Sequence, residues 1–126
     1  MAHRNALNWF EIPAINLDRA QKFYETILGT TIRRETMGSG SELGIFDYGE
    51  PGVGGALMAG ADAPKPSDNG TLVYLDAGTS IDAVLARVEA AGGCITTPKV
   101  QLPGDMGCFA RIADTEGNRV GLHAPR

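Results

Sequence analysis

Histidine, cysteine and aromatic residues are scarce in this chain of 126 residues. It has two histidines, His3 and His123, two cysteines, Cys94 and Cys108, and aromatic side chains at 6% of its positions. A site for a divalent metal built from imidazoles and thiolates needs three or more such groups that converge. The cysteines have no C-x-x-C spacing, so we expect free buried thiols in a reducing compartment rather than a disulfide or a metal site.

The sequence also lacks long apolar runs and clusters of basic residues. Nowhere do roughly 18 apolar residues follow one another, and the N-terminal segment has no apolar run of about seven that could form the core of a signal peptide. The net charge is -4, and the lysines and arginines are scattered. Scattered basic residues give no electrostatic footprint for a nucleic acid or an anionic membrane. We therefore predict a cytoplasmic protein with neither of these partners.

Two segments have the periodicity and the end signals of amphipathic helices. Apolar residues recur at three- and four-residue steps from Leu17 to Leu28, between a candidate N-cap, Asn16, and a stop signal, Gly29. The same pattern returns from Ile81 to Gly92. A single shift along the chain, the one that places Leu17 on Ile81, superimposes the two segments and the apolar stretches around them. This similarity indicates an internal repeat.

Each copy of the repeat has the order strand, helix and then three strands. A segment rich in proline and turn-forming residues, GADAPKPSDNG, separates the two copies. The sequence thus predicts an α+β fold, with one domain over residues 1–126 that consists of two tandem βαβββ modules. Module one covers about residues 6–60, a linker covers about 61–69, and module two covers about 70–124.

Two stretches resemble the vicinal oxygen chelate superfamily, which includes glyoxalase I, extradiol dioxygenases, fosfomycin-resistance proteins and bleomycin-binding proteins. The first is EIPAINLDRAQKFYETILG, and the second is ADTEGNRVGLH, which is similar to the D-x-x-G-N hairpin of the family. The resemblance covers about Leu7 to Ala124. It implies that the modules form an open, cup-shaped eight-stranded barrel with the helices outside, and it implies a homodimer. It indicates no single activity.

The resemblance also implies where a metal would be held. Family members that use a metal place histidine or glutamate ligands on the first and last strands of each module. With the shift that relates the two copies, these positions fall on Trp9 and Val73, on Leu57 give or take one residue, and on Gly121. None of these residues can coordinate a metal. We therefore predict no metal and no cofactor.

The alternation of side chains along a strand predicts which residues line the cup. Each strand should turn its apolar positions toward a helix and the alternate positions into the cup. The residues expected to pack against the helices are Phe10, Ile12, Leu72, Tyr74, Val120 and Leu122. The residues expected to contact a ligand in the cup are Trp9, Glu11, Leu57, Val73, Leu75, Arg119, Gly121 and His123.

A few polar groups in a mostly apolar cup are typical of a small-molecule pocket. Trp9, with Phe46 or Tyr48, could offer flat surfaces to a planar ligand. A buried, unpaired Glu11 would have a raised pKa and could act as a general base, whereas a Glu11 at a wet rim would not. His123 is expected to be a strand-end residue that can contact a ligand or take part in catalysis.

Three functions remain open at this point. The first is a metal-free module that binds a small organic molecule. The second is a metal-independent lyase or isomerase with Glu11 as the base and with Arg119 or His123 stabilising the anion. The third is a metal-dependent lyase or dioxygenase, whose displaced site would need Glu11, His123 and a third ligand from a loop, such as Glu42 or Glu50. The glycine-rich loops at 36–42 and 101–107 could close over the cup or be ordinary hairpin loops.

Overall fold

The computed structural model describes residues 4–38 and 40–126, so His3 lies outside the described residues. The elements follow the predicted order. Module one contains β1 (Trp9–Pro13), α1 (Leu17–Leu28), β2 (Ile32–Thr36), β3 (Glu42–Phe46) and β4 (Gly54–Ala59). Module two contains β5 (Tyr74–Asp76), α2 (Ile81–Val88), β6 (Cys94–Gln101), β7 (Cys108–Ala113) and β8 (Arg119–Ala124). The α+β fold with two tandem βαβββ modules is therefore confirmed.

Each module forms one mixed sheet of four strands. The strand orders are β1-β4-β3-β2 and β5-β8-β7-β6. In both sheets the first and last strands of the module pair in parallel, and the other neighbours are antiparallel. The sheets do not close on themselves, which agrees with an open cup. We call the face of each sheet that is turned away from its helix the cup face.

The ends of the helices follow from local signals. The side chain of Asn16 accepts a hydrogen bond from the backbone N–H of Arg19 at 3.0 Å, and Gly29 ends α1 in the left-handed conformation at φ 64°. Both ends of α1 were predicted. Helix α2 ends at Val88, earlier than the predicted Gly92. Residues 89–92 form a turn, in which Gly92 has a φ of 106°. Residues other than glycine rarely adopt that φ.

The core lies between the helices and the sheets. Its largest fully buried side chains are Tyr24, Phe23, Ile27, Leu57, Ile81, Ile112 and Leu122. The aromatic rings of Phe23 and Tyr24 meet edge to face, with their centroids 5.0 Å apart. Among residues 4–38 and 40–126, no helix is long and apolar enough to cross a membrane.

The turn at 114–118 of module two forms hydrogen bonds with module one. The side chain of Glu116 has no exposed surface. Its carboxylate accepts hydrogen bonds from the backbone N–H groups of Ile15 and Asn16 at 2.9 and 2.8 Å, and from the Arg19 guanidinium at 2.7 Å. Burial acts to raise the pKa of Glu116, but the hydrogen bonds from Arg19, Asn16 and Thr115 outweigh it and lower the pKa below its ordinary value.

Two further residues of this turn complete the connection. The Tyr24 hydroxyl donates to the Asp114 carboxylate at 2.6 Å, and both groups are buried. The side-chain amide of Asn118 donates to the backbone oxygen of Pro13 at 2.7 Å and to the Asp114 carboxylate at 2.9 Å. We call the turn at 114–118 and these partners the inter-module clasp. The D-x-x-G-N pattern of the sequence thus has a structural role.

Candidate functional site

The register of the strands defines the centre of each cup face. In module one Trp9 on β1 lies opposite Gly54 on β4. In module two Tyr74 on β5 lies opposite Gly121 on β8. Side chains of directly paired residues on neighbouring strands share one face of the sheet. Each module therefore presents an aromatic residue beside a glycine at the same place on its cup face.

The predicted faces of β1 and β8 agree with the structure. Ile12 is buried in the core and Phe10 packs against it, which leaves Trp9 and Glu11 on the cup face. On β8, Val120 and Leu122 are buried in the core. The alternate β8 positions, Arg119, Gly121 and His123, share the cup face.

The predicted face of β5 is wrong. Leu75 is only 6% exposed, lies opposite Leu122 in the core, and does not face the cup, while Val73 packs against the same core. Tyr74, predicted to pack against the helix, is 42% exposed on the cup face. The cause is a connection to the helix that is one residue shorter in module two. A shift of one residue moves every side chain of a strand to the other face.

The prediction that Leu57 lines the cup is wrong for the same reason. Leu57 is fully buried and lies opposite Ile12 in the core. The residue of β4 that lies opposite Trp9 is Gly54, three positions before Leu57. An offset of three residues changes the face of the strand, because side chains alternate with a period of two.

The cup face of module one carries two exposed aromatic rings. Trp9 and Tyr48 meet edge to face with their centroids 6.2 Å apart. The indole N–H of Trp9 donates to the Glu11 carboxylate at 3.4 Å. Phe46, another predicted flat surface, is buried in the core. Glu11 is exposed, so the burial that would favour a proton-accepting role is absent.

The cup face of module two carries an arginine beside two aromatic rings that contact each other. The Nε–H of Arg111 donates to the Tyr74 hydroxyl at 2.9 Å. The Arg111 guanidinium carbon lies 5.1 Å from the ring centroid of Phe109 and 5.9 Å from that of Tyr74. Arg111 and Phe109 were not among the predicted site residues, although the alternation in CFARIA gives the signal: Cys108, Ala110 and Ile112 are the buried positions.

His123 contacts a loop at the edge of the cup face of module two. Its Nε2 lies 2.7 Å from the backbone oxygen of Met106, in the loop at 101–107. On β5, Asp76 lies opposite His123, and its carboxylate accepts a hydrogen bond from the backbone N–H of Gly78 at 2.9 Å. The imidazole is thus engaged by the loop, and its predicted part in ligand contact or catalysis stays a prediction.

Two open cavities lie beside the sheets, and several residues that line the first also belong to the core or pack against it. A cleft of about 590 Å³ lies where the modules adjoin, and both modules line it, with Phe10, Leu28, Phe46, Tyr48, Val73 and Leu75 among its residues. A second hollow of about 720 Å³ lies between Tyr74, Asp76 and His123. Both volumes fall within the roughly 300–1,000 Å³ of small-molecule sites.

A family profile decides the relationship of the chain to known proteins. The profile of the glyoxalase/bleomycin resistance protein/dioxygenase superfamily matches residues 6–122. The chain belongs to this superfamily. The predicted resemblance to the vicinal oxygen chelate proteins is therefore confirmed. No curated protein matches the chain by sequence.

Solved structures of superfamily members share the fold. A glyoxalase I mutant of Zea mays is 21% identical with a TM-score of 0.72, covering 94% of this chain and 46% of that one. A glyoxalase/bleomycin resistance protein of Albidiferax ferrireducens is 21% identical with a TM-score of 0.64, covering 94% and 97%. The fosfomycin resistance protein of Listeria monocytogenes is 17% identical with a TM-score of 0.63, covering 97% and 94%.

The residues of this superfamily member do not fit the metal that the family implies. The corrected register puts an indole, a phenol and two glycines at the paired first-strand and last-strand positions: Trp9, Tyr74, Gly54 and Gly121. Within the described ranges, 4–38 and 40–126, no group of three or more His, Cys, Asp or Glu side chains is arranged to hold a metal ion. The displaced site considered from the sequence is therefore not assembled in this part of the chain.

Proposed function

We propose that this superfamily member binds a small organic molecule in its cup without the help of a metal ion. The observation that carries the proposal is the pair of exposed aromatic rings beside glycines, Trp9 with Gly54 and Tyr74 with Gly121. A metal-using relative would carry metal ligands at these paired positions. Aromatic rings on a concave surface provide an apolar floor for a ligand, and the neighbouring polar groups can fix its orientation.

The glycines support this proposal because aromatic rings cover them. A Cβ atom on Gly54 would overlap the ring of Tyr48, and a Cβ atom on Gly121 would overlap the ring of Tyr74. The space that a last-strand side chain would need is therefore already filled by an aromatic ring. This arrangement favours contact between a ligand and flat apolar surfaces over coordination.

No observation favours the alternative of a metal-independent lyase or isomerase. That function needed a buried Glu11, and Glu11 is exposed beside Trp9. The role of Glu11 as a base stays a prediction. The metal-dependent alternative needs a group of converging ligands, and the described residues contain none.

We also propose that the protein is a cytoplasmic homodimer. Its accessible surface is 7557 Å², whereas a monomer of 13.2 kDa is expected to expose about 6,400 Å². The cup faces contribute to this large surface, and a second copy could cover part of them. Cys94 and Cys108 are both free thiols, which suits a reducing compartment, but only Cys108 is buried, so the expectation of a buried thiol is wrong for Cys94. Sedimentation equilibrium tests the dimer, and a mass of 13.2 kDa at micromolar concentration would contradict it.

The binding function can be tested with planar organic compounds in the presence of a chelator. A ligand at about 100 times its dissociation constant should stabilise the fold by about 2.7 kcal/mol. We expect such compounds to raise the melting temperature and to change the emission of Trp9, the single tryptophan of the chain. Tyr48→Ala should weaken binding. Ile15→Ala removes an exposed side chain outside the cup faces and should not.

Two results would contradict this function. One is the absence of stabilisation by any compound of a broad planar set. The other is binding that the chelator abolishes and that a divalent ion restores, because the proposed site needs no metal.

A further inference from the structure

We propose that the ligand is a planar carboxylate and that Arg111 binds its carboxylate group on the cup face of module two. This inference rests on the proposed function and names the class of ligand. It depends on how Arg111 is held, on the charges around it, and on the aromatic surfaces beside it.

The absence of a side chain on Gly121 allows the ring of Tyr74 to reach across β8 toward Arg111. Arg111 on β7 lies opposite Gly121 on β8, and Gly121 lies opposite Tyr74 on β5. These three residues form a row across three neighbouring strands. Since Gly121 has no side chain, the ring of Tyr74 lies over the middle of the row, and its hydroxyl accepts a hydrogen bond from the Nε–H of Arg111 at 2.9 Å.

The guanidinium is positioned but not neutralised. Its Nε–H is used by Tyr74, and the rings of Tyr74 and Phe109 meet edge to face with their centroids 5.9 Å apart. In the part of the chain that the structure describes, no ion pair and no other hydrogen bond of the Arg111 side chain is found. Its terminal nitrogens are therefore available for the two parallel hydrogen bonds that a guanidinium makes with a carboxylate.

The surrounding charges favour an anion. Arg119 lies on the same face, two positions from Gly121 on β8, and no ion pair of Arg119 is found among residues 4–38 and 40–126. The carboxylate on this face close to the row is Asp76, which is held by the backbone N–H of Gly78. The whole chain carries a net charge of -4. Along β5, β7 and β8 the described cup-face positions thus include two arginines and one aspartate, a positive balance within an acidic protein.

The aromatic surfaces favour a planar body on the anion. Tyr74 is 42% exposed, and Phe109 is partly exposed beside it. The hollow of about 720 Å³ is lined by Tyr74, the hydrogen-bond partner of Arg111, and gives room for a ring beside that tyrosine. Aromatic side chains gain binding energy from stacked or edge-to-face contact with another planar group, beyond the area that they bury.

The test compares matched compounds that differ only in charge. Isothermal titration of the intact protein with benzoate and 2-naphthoate is set against benzamide and 2-naphthamide. We expect each carboxylate to bind about 10-fold or more tightly than its amide, because a hydrogen bond to a charged group is the stronger one. Arg111→Gln should weaken carboxylate binding by about 10- to 100-fold and should leave amide binding almost unchanged.

Two further variants separate a direct role from a structural one. Arg33→Gln removes an exposed arginine on the cup face of module one, where it contacts Glu35, and should not change carboxylate binding. Tyr74→Phe keeps the ring but removes the hydroxyl that positions Arg111, so it should weaken carboxylate binding by a smaller factor than Arg111→Gln does. Circular dichroism verifies that each variant is folded.

Each outcome has a defined meaning. If the amides bind as tightly as the carboxylates, or if Arg111→Gln binds carboxylates like the wild type, this inference is wrong and the proposed function stands. If neither series binds but another compound of the broad planar set does, this inference is wrong and the proposed function stands; if the broad planar set is also inactive, both proposals fail.

Discussion

Replacement of Glu116 by glutamine is the most direct test of the inter-module clasp. The Glu116 carboxylate is fully buried and accepts hydrogen bonds from two backbone N–H groups, the Arg19 guanidinium and the Thr115 hydroxyl. Glutamine has nearly the same size, but it offers a single acceptor oxygen and adds an NH₂ group that can only donate. Glu116→Gln therefore removes a charge and places the new NH₂ group against groups that also donate, such as the Arg19 guanidinium. It does not create a cavity.

The expected loss of stability follows from these contacts. A hydrogen bond to a charged group contributes about 1.5–3 kcal/mol, and a buried donor left without a partner costs about 1–3 kcal/mol. Arg19 is half exposed and can turn to water, so its share is small. We expect a loss of about 3 kcal/mol in the free energy of unfolding. For a chain of 126 residues, the unfolding entropy is about 0.26 kcal/mol/K, so the melting temperature should fall by about 11 °C.

Urea denaturation and thermal melts at pH 7 measure this loss. Glu42→Gln is the matched control, because its carboxylate is exposed and lies 3.4 Å from Arg34. The control should change the free energy of unfolding by less than about 0.5 kcal/mol. If Glu116→Gln also remains within that range of the wild type, the clasp does not hold the modules together.

Three further predictions concern the same region. The pKa of Glu116 in the folded chain lies below its ordinary value of 4.5, so its contribution is complete above that value and lost as the pH falls through the folded pKa. The stability difference between wild type and Glu116→Gln should therefore narrow in acid. Tyr24→Phe removes one hydrogen-bond donor from the buried Asp114 carboxylate, which keeps the amide of Asn118, and should lower the free energy of unfolding by about 1–2 kcal/mol in urea denaturation, whereas Tyr48→Phe should cost almost nothing. Gly93→Ala brings a Cβ atom within 2.7 Å of the buried ring of Phe23. This variant should lower the melting temperature by several degrees, because overpacking costs about 1–3 kcal/mol.

Each of these predictions can fail in a specific way. A constant difference between wild type and Glu116→Gln from neutral pH into acid would show that the pKa of Glu116 is the same in the folded and unfolded chains, contrary to the expected lowering. Equal effects of the two tyrosine variants would show that the Asp114 bond adds nothing. Gly70→Ala, where the added Cβ meets no atom within 4 Å, is the control for Gly93→Ala, and equal melting temperatures would refute the steric argument.

The local features of the fold could be predicted from the sequence because short-range signals determine them. Asn16 and Gly29 end α1 through contacts with residues three and four positions away. The repeat was visible because both helices have the same spacing of apolar residues. These signals were enough for the order of the elements and for the faces of β1 and β8.

The faces of β4 and β5 could not be predicted with one fixed shift. The shift that places the start of α1 on the start of α2 also places Trp9 on Val73, whereas the counterpart of Trp9 in the register is Tyr74, one position later. The same shift places Gly54 on Asn118, whereas its counterpart is Gly121, three positions later. Connections between elements tolerate insertions of one or a few residues. In a strand, any odd insertion reverses the face, so the error fell on β4 and β5.

The long-range contacts of the inter-module clasp also could not be predicted from the sequence. Glu116 and Ile15 are 101 residues apart, and no local pattern marks the partner of a buried carboxylate. Arg111 was different, since the alternation in β7 marks it as facing the cup. Its contact with Tyr74 still depended on the pairing of three strands, which no short-range pattern in the sequence encodes.

The absence of a side chain at Gly121 has a consequence for any attempt to convert this protein into a metalloenzyme. Gly121→Glu would introduce a carboxylate directly opposite Arg111, at a point where the ring of Tyr74 already lies. The new side chain would form an internal salt bridge with the guanidinium, and that bridge would compete with any added zinc or nickel. Because an ion needs several converging ligands, gain of a metal would require at least three coordinated replacements, and no single point mutation would supply them.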